Sequence, residues 1–492
     1  MLTAERAENE RLRQIIKELQ RHRFGRRAES LPVEQMLLGL EEAEQVEAEG
    51  FAREDDADPA RREARARRRR ANRGSLPAHL PRIEQVVDIE DKACPCCSGP
   101  LHVMGEDRSE RLDIVPAQFR VIVTRRPKYA CRSCEEVVVQ AAAPSRLVEG
   151  GIPTEATVAH VLVSKYADHL PLYRQAQIYA RQGVNLDRST LADWVGKAAF
   201  LLRPVHERLF ERLKASDKLF ADETTAPVLD PGRGRTKTGQ LFAYARDDRP
   251  WGGIEPPGVA YLYAPDRKAE QPLRHLQGFV GILQVDGYAG YRALAERNAV
   301  NLAFCWSHVR RKFYELAQSG PAPIATEALR RIAELYKIES EIRGRPADER
   351  RAARQERSRP IIEALQPWLR GKLALVSQKS KLAEAIRYAL SRWAGLSRFL
   401  DEGRVEIDSN VVERAIRPIA LNRKNALFAG SDGGGEHWAT IASLIETCKL
   451  NGVDPYAYLA DVITRIVAGH PQNKLDDLLP WAYTPKPLKA VA

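Results

Sequence analysis

The chain has 492 residues, too many for one hydrophobic core, so we expect several domains. Lys and Arg outnumber Asp and Glu by 77 to 66, and the resulting net charge of +11 favours a polyanionic partner. The sequence has no apolar run long enough to span a membrane and no signal peptide. These totals argue against a membrane protein or a secreted protein, and we expect a cytoplasmic one.

Residues 1–50 are predicted to form a highly charged helix. A short heptad pattern places Leu2, Asn9 and Ile16 at a positions and Leu12 and Leu19 at d positions. An Asn at an a position favours a parallel dimer in register, which predicts a short coiled coil. The pattern lasts less than three heptads, so an amphipathic helix packed on its own chain explains it equally well.

Residues 51–85 are predicted to be a disordered linker, acidic at first and then rich in arginine. No spacing of apolar residues supports a core in this segment. Such a run is usually a solvated linker, but in a basic protein it also suits contacts with DNA phosphates, which carry no base-specific information. The candidate DNA-binding residues are Arg67, Arg68, Arg69 and Arg70.

Residues 86–150 contain two cysteine knuckles that predict a zinc ribbon. The proposed ligands of one structural Zn²⁺ are Cys94, Cys97, Cys131 and Cys134, because paired C-x-x-C knuckles give tetrahedral thiolate sites. Cys96 is an alternative to Cys97. An alternating run over residues 119–124 predicts a strand between the knuckles, and the adjacent candidates for phosphate contact are Arg125, Arg126 and Lys128.

Residues 151–215 are predicted to be helical. The segment from Leu172 to Val195 has the pattern helix, glycine-containing turn, helix, with Ser189 as the predicted N-cap of the second helix. This pattern fits a DNA-binding helix-turn-helix, and it fits an ordinary pair of packed helices equally well.

Residues 216–319 are predicted to form the first part of an α/β core of the ribonuclease H-like kind. Five strand candidates occur at residues 219–221, 240–245, 259–263, 281–285 and 301–305. Their order is three strands, helix, strand, helix, strand, followed by a closing helix over residues 309–318. Asp222 and Asp286 are expected at the ends of the first and fourth strands. A loop between the first two strands adds the basic candidates Arg233, Arg235 and Lys237.

A third acidic residue, Glu413, follows a predicted helical insertion over residues 320–395. Residues 396–445 are expected to complete the core, with Glu413 on a helix, and residues 446–492 to form a helical tail. Two carboxylates at strand ends and one on a helix form a ligand set that suits Mg²⁺ or Mn²⁺, which prefer oxygen ligands. The glycine-rich residues 430–435 lack the lysine of a phosphate-binding loop and predict a flexible turn.

Each of these residues also has a purely structural explanation. Asp222 and Asp286 could be turn residues, and Glu413 could complete a capping box that starts at Asn410. Glu223 is the natural competitor of Asp222, but successive side chains of a strand point to opposite faces, so we expect it to face away. His308 could contact a scissile phosphate or a flanking base, but we expect it to be a structural histidine with satisfied hydrogen bonds.

Several sequence strings resemble those of insertion-sequence 66 family transposases, over most of the chain. The strings are residues 24–27, the two cysteine knuckles, 286–291, 308–313, 408–418, 423–425, 428–431, 444–447 and 451–456. The resemblance implies that Asp222, Asp286 and Glu413 form an acidic triad that binds two Mg²⁺ or Mn²⁺ ions, with Asp222 bridging them. Where many transposases have a basic residue seven positions after the glutamate, this chain has Ala420, so Arg414 or Arg417 would have to supply that role.

The resemblance implies a DNA transposase that binds the terminal inverted repeats of its element and performs strand cleavage and strand transfer. Expected partners are element ends and target DNA, a second copy of the chain or more, and accessory proteins of the same element, in the bacterial cytoplasm at the nucleoid. Further candidate contacts to DNA are Arg310 and Arg311. The alternatives are a stand-alone nuclease and a catalytically inactive zinc-ribbon regulator.

Overall fold

A computed structural model describes residues 54, 57–72, 118–130, 138–230, 235–297 and 300–485. The chain divides into two units, residues 1–117 and residues 118–492. The predicted N-terminal helix, the zinc ligands Cys94, Cys97, Cys131 and Cys134, and Arg233 lie outside the described residues.

The first unit contains a helix where the sequence predicted disorder. Helix α1 runs Pro59–Asn72, and Asp58 caps it by accepting hydrogen bonds from the backbone N–H groups of Ala60 and Arg61 at 3.0 and 3.3 Å. Ala, Arg and Glu are strong helix formers, and Glu63 pairs with Arg67 at 2.7 Å, four residues later. The described side chains of this helix, at residues 59–64 and 67, are exposed, so local propensity accounts for it.

The second unit begins with a small antiparallel ribbon. Strand β1, Lys128–Ala130, pairs with β2, Val138–Gln140. The prediction of a strand over residues 119–124 is wrong, because these residues have no regular structure and Val121 is 87% exposed. The ribbon begins instead at Lys128, a few residues closer to the second knuckle.

The predicted helical segment is confirmed as three helices. They are α2, Glu155–Tyr166, α3, Leu172–Ala180, and α4, Arg188–Lys214. The predicted N-cap at Ser189 is wrong by two residues, since Asp187 occupies that position. Helix α4 buries residues along its length from Leu191 to Leu213, so only its first turn is exposed on all sides.

A five-stranded mixed sheet with alternating helices forms the centre of the second unit. Its strands lie in the order β5-β4-β3-β6-β7, with β3, β4 and β5 antiparallel and β6 and β7 parallel to β3. The elements are β3, Lys218–Asp230, β4, Arg235–Arg246, β5, Gly258–Ala264, α5, Glu270–His275, β6, Gly281–Val285, α6, Gly290–Arg297, β7, Val300–Phe304, and α7, Trp306–Gln318. The predicted bounds of β6 are confirmed.

The expected insertion consists of helices joined by short turns, with a π-helical segment, Arg354–Ser358, before its third α-helix. Its helices are α8, Pro323–Ile342, α9, Ala347–Ala353, α10, Arg359–Leu375, α11, Lys381–Leu390, and α12, Trp393–Ser397. They build a second hydrophobic core with Trp306 and Phe313 of α7. Buried Arg354 pairs with Glu339 at 2.6 Å and donates to the Phe399 carbonyl at 3.0 Å, so the charge is compensated inside the insertion.

The chain returns to the sheet through α13, Asn410–Ala426, and α14, Asp432–Leu450, and continues in α15, Pro455–Val467. The predicted flexible turn at residues 430–435 is wrong: Ser431 caps α14 by accepting a hydrogen bond from Gly434 N at 3.1 Å, and the glycines form the first helical turn. None of the described helices combines the length and apolarity of a membrane span.

Helix α14 covers the outer edge of the sheet. The backbone N–H of Val259 in β5 donates to Thr447 Oγ1 at 3.1 Å, and Thr447 Oγ1 donates to the Val259 carbonyl at 3.0 Å. Ser443 Oγ accepts from Tyr261 N at 2.8 Å. These helix side chains satisfy backbone groups that a free edge strand would expose to other chains.

Replacing Thr447 with Val removes both hydrogen bonds while keeping the side-chain shape. Because Thr447 is fully buried, the Val259 backbone groups lose their partner, and we expect the free energy of unfolding to fall by about 1–3 kcal/mol. Urea unfolding followed by tryptophan fluorescence measures this. The control, Thr464→Val on the exposed side of α15, should change it by less than about 0.5 kcal/mol; equal effects of the two variants would contradict this role.

Candidate active site

Asp222 lies within a long strand and not at its end, which corrects the sequence prediction. Strand β3 continues to Asp230 because it forms a long hairpin with β4. Its pairing with β6 on the other side ends at Phe220, however. Asp222 therefore lies just beyond the end of β6, where the sheet opens on one side.

Asp286 directly follows β6, as predicted. The chain turns at Gly287, whose φ of 107° lies in the region that favours glycine. Asp286 Oδ1 accepts a hydrogen bond from Tyr288 N at 2.8 Å, and the Asp286 carbonyl accepts one from Tyr388 Oη of the insertion at 2.7 Å. The turn is thus fixed by one hydrogen bond within it and by a second from the helical insertion.

Glu223 belongs to the same cluster, although the sequence predicted that it would face away. One carboxylate oxygen from each of Asp222, Glu223 and Asp286 lies within 4.8 Å of the others. Beyond Phe220, β6 no longer pairs with β3, although β4 continues on the other side, so Asp222 and Glu223 can both approach Asp286. The adjacent pair Asp222-Glu223 was the sequence signal that could have revealed this residue.

Glu223 is held by two side chains. Arg267 Nε donates to Glu223 Oε1 at 2.9 Å, and Tyr291 Oη donates to Glu223 Oε2 at 3.1 Å. The Glu223 side chain is 1% exposed, whereas Arg267 is 51% exposed and also lies over the ring of Tyr288. Glu223 therefore has a cationic partner of its own, and Asp222 and Asp286 have none among the described residues.

The crowding of carboxylates is visible in the pKa of Asp222. Burial first, and then the negative charges of Asp286, Glu223 and Glu413, together raise the pKa of Asp222 from 3.8 to about 7, against the hydrogen bond from Glu223 N. A buried group of carboxylates with this charge imbalance is suited to a divalent cation with hard oxygen preference. Asp222 and Asp286 are the residues that would bind such a cation directly.

Glu413 lies in the first turn of α13, as predicted, but the capping-box alternative is wrong. Asn410 is the first helical residue and Ser409 is the N-cap. Glu413 Oε1 accepts a hydrogen bond from Ser409 Oγ at 3.1 Å. The Glu413 side chain is 26% exposed. Its charge contributes to the raised pKa of Asp222, so the two carboxylates belong to one electrostatic site.

A buried amide joins the segment before Glu413 to the strand before Asp286. Gln284 Nε2 donates to the carbonyls of Glu406 and Asp408, each at 2.8 Å, and Gln284 Oε1 accepts from Glu406 N at 3.3 Å. Gln284 is fully buried. The sequence analysis missed this residue, although a glutamine inside the apolar run of β6 is a recognisable signal, because a buried amide requires partners.

His308 is not the satisfied structural histidine that we expected. Its Nδ1 is buried without a hydrogen-bond partner among the described residues and lies 3.8 Å from Glu413 Oε1. Contact with the Cys305 side chain raises the pKa of His308 despite burial, and the Glu413 carboxylate adds to this. His308, Cys305 and Glu413 therefore form a second cluster beside the carboxylates.

Comparison with known protein families identifies the chain. A model of the family described as "Transposase IS66 family" matches residues 150–437, which is more than half of the sequence. The chain belongs to the IS66 transposase family. Further matches are the IS66 C-terminal element over residues 443–481, the zinc-finger binding domain of transposase IS66 over 91–135, and "Transposase C of IS166 homeodomain" over 11–84.

The chain is similar over nearly its whole length to uncharacterized proteins of Sinorhizobium fredii (strain NBRC 101917 / NGR234). Protein y4qI is 49% identical over 98% of this chain and 91% of its own length. Protein y4jD is 49% identical over 87% of this chain and 86% of its own. Protein y4hP is 39% identical over 95% of this chain and 88% of its own.

The zinc-finger match supports Zn²⁺ as a cofactor of this transposase, and the family suggests a divalent metal at the catalytic site. The match spans both knuckles. The assignment of individual cysteines stays a prediction, because they lie outside the described residues.

The basic candidates of this transposase have different surroundings. The exposed ones with described side chains are Arg67, Arg125, Lys128, Arg235, Arg310, Arg311, Arg414 and Arg417. The side chains of Arg68, Arg69 and Arg70 lie outside the described residues. Lys237 instead pairs with Asp432 at 2.6 Å, and Arg126 donates to the Ala141 carbonyl at 2.9 Å. Their role in DNA binding stays a prediction.

The raised pKa of Asp222 predicts a pH-dependent stability. Near pH 4 the carboxyl is largely protonated in the folded state and about half protonated in the unfolded state. Between pH 4 and about pH 7 the Asp222 carboxyl loses its proton only in the unfolded chain, so the free energy of unfolding falls. Above pH 7 the folded state also loses this proton, and the free energy of unfolding falls no further from this cause. Without divalent metal, Asp222→Asn should therefore melt about 2 °C or more above the unmodified protein at pH 8, with a smaller difference at pH 4.

Differential scanning calorimetry in the presence of a chelator measures this difference. The control is Asp193→Asn, an exposed residue of α4 paired with Lys197, which should change little at either pH. A difference for Asp222→Asn that is the same at both pH values would contradict the account.

Proposed function

We propose that this transposase binds the terminal inverted repeats of an insertion sequence and catalyses metal-dependent strand cleavage and strand transfer. The observation that carries the proposal is the convergence of Asp222 and Asp286 beside the end of β6, with Glu413 contributing charge to the same site. Membership of the IS66 transposase family supports it.

We further propose that the sheet is a ribonuclease H-like core interrupted by the helical insertion. The order β5-β4-β3-β6-β7, with three antiparallel strands followed by two parallel ones, supports this assignment. In such a core the acidic triad is Asp222, Asp286 and Glu413. The helices from residue 323 to residue 397 then form an arm on the catalytic domain, fixed to Asp286 by Tyr388.

The three acids would supply the oxygen ligands for two Mg²⁺ or Mn²⁺ ions. When bound, these ions supply Lewis-acid activation of water and neutralise charge on the leaving oxygen. Glu223 stays paired with Arg267, whereas Asp222 and Asp286 have no cationic partner in the part of the chain that the structure describes. Arg267 is half exposed beside them, and its free guanidinium face can contact a DNA phosphate.

Strand transfer after cleavage needs no further energy source. Attack of a freed 3′ hydroxyl on target DNA breaks one phosphodiester and forms another, so one set of carboxylates serves both steps. A stand-alone nuclease would not need a zinc module and an N-terminal module, and both of these match the transposase family. An inactive regulator would not need the acids to be retained.

We propose that successive segments of the chain have different roles. Residues 86–150 form the zinc ribbon, and residues 151–215 present a helix-turn-helix-like pair to DNA. The N-terminal helix over residues 1–50 joins two copies on DNA, the segment from 51 to 85 contacts phosphates, and accessory proteins of the element assist. Residues 216–319 and 396–445 form the catalytic core, and residues 446–492 form a helical tail.

Replacing Asp286 with Asn keeps the size of the side chain and removes one ligand charge. We expect Mg²⁺-dependent cleavage of labelled element ends to fall by about a thousandfold or more, equivalent to about 4 kcal/mol of transition-state stabilisation, while end binding in a gel-shift assay stays intact. Asp266→Asn, in the loop after β5, serves as the matched control and should cleave normally. Normal cleavage by Asp286→Asn would refute the triad.

Arg310 and Arg311 are exposed on α7, the helix that also carries His308. If they contact phosphates, the double change to Gln should weaken binding to all DNA sequences alike and reduce the slope of log affinity against log salt by about 2. Fluorescence anisotropy over a salt series measures the slope. Arg330→Gln, on α8 and paired with Glu327 and Glu334, should leave it unchanged; the same slope in all three proteins would exclude this contact.

A further inference from the structure

A thiol, an imidazole and a carboxylate meet beside the proposed magnesium site. One ligand atom each of Cys305, His308 and Glu413 lies within 4.8 Å of the others. Cys305 Sγ is 4.0 Å from Glu413 Oε1, and His308 Nδ1 is 3.8 Å from the same oxygen. Among the described residues, His308 is the basic side chain that pairs with Glu413 Oε1.

The local structure explains why these side chains converge. Cys305 follows β7 as the N-cap of α7, and His308 is the third residue of that helix. Glu413 lies in the first turn of α13, so two helix N-termini face the cluster. Ser409 N donates to Cys305 Sγ at 3.2 Å, a contact that fixes the sulfur beside the start of α13.

The distances are close to those of a tetrahedral zinc site. With Zn–S near 2.3 Å and Zn–N and Zn–O near 2.0–2.2 Å, ligand atoms around one ion are about 3.3–3.6 Å apart. The observed separations of 3.8 and 4.0 Å exceed this by about half an ångström, which side-chain rotation can supply. Buried His308 Nδ1, which has no hydrogen-bond partner in the described part of the chain, is a ready lone-pair donor when neutral.

The ligand chemistry differs from that of the neighbouring acids. Asp222, Glu223 and Asp286 offer only oxygen atoms, which suit Mg²⁺. A sulfur, a nitrogen and one oxygen suit a borderline metal such as Zn²⁺ and disfavour Mg²⁺. Glu413 is the one member that both sites would use.

We propose that Cys305, His308 and Glu413 bind a Zn²⁺ ion, separate from the zinc of the cysteine knuckles, and that zinc bound there withdraws Glu413 from the catalytic ions. The second half rests on the proposed function. Binding releases the Cys305 thiol proton to solvent and involves no redox change. The binding of the catalytic ions would then depend on the concentration of available zinc.

The first test is the zinc content of the full-length protein after equilibration with Zn²⁺ and desalting. The unmodified protein should retain one more zinc per chain than Cys305→Ser or His308→Asn. The matched control is Cys448→Ser, which changes a buried cysteine of α14 and should retain as much as the unmodified protein. If Cys305→Ser does not fold, His308→Asn decides. Equal zinc content in the unmodified protein and His308→Asn would overturn the site.

The second test uses Mn²⁺ in place of Mg²⁺, with bound Mn²⁺ measured by electron paramagnetic resonance. One equivalent of Zn²⁺ beyond that of the knuckles should reduce the Mn²⁺ bound to the unmodified protein and not that bound to His308→Asn. An equal reduction in both would overturn the withdrawal of Glu413 and leave the zinc site standing. A different result would contradict the proposed function itself: Asp286→Asn would then bind as much Mn²⁺ as the unmodified protein.

Discussion

The hydrogen bonds of the buried Gln284 amide hold together the two parts of the candidate site. Asp286 follows β6 directly, whereas Glu413 arrives only after the long helical arm. Gln284 binds the backbone of Glu406 and Asp408, and so fixes the returning chain against the strand that ends at Asp286. A buried amide with three hydrogen bonds has few alternative positions, since any other register would leave its polar atoms without partners.

The charge of the site follows from this arrangement. Burial of Asp222 near two other carboxylates is unfavourable in the protein alone, as its raised pKa shows. The fold tolerates this cost because the sheet and the arm pack independently of the site, in two hydrophobic cores. A divalent cation would relieve the repulsion, so metal binding and local stability are expected to be coupled. Under the two proposals, Glu413 would be a ligand in both metal sites, which differ in chemical preference.

The sequence predicted those parts of the site that depend on local patterns. The apolar run of β6, ended by Asp286 and Gly287, has bounds that the structure confirms, because a buried strand followed by a turn is a local signal. Glu413 was correctly placed on a helix for the same reason. The position of Glu223 could not be predicted, because it depends on where β6 ends beside β3, which is a tertiary property. The contact of His308 with Glu413 likewise depends on a distant helix, whereas Cys305 lies at the start of the same helix.

The central claim is that one set of acids both cleaves and joins DNA, and strand joining tests it most directly. The measurement uses labelled DNA carrying an element end with a free 3′ hydroxyl, unlabelled target DNA, Mg²⁺ and no ATP. The account predicts labelled products joined to the target, and their loss when Glu413 is changed to Gln. Cleavage of element ends without any joined product would contradict it and would indicate a nuclease.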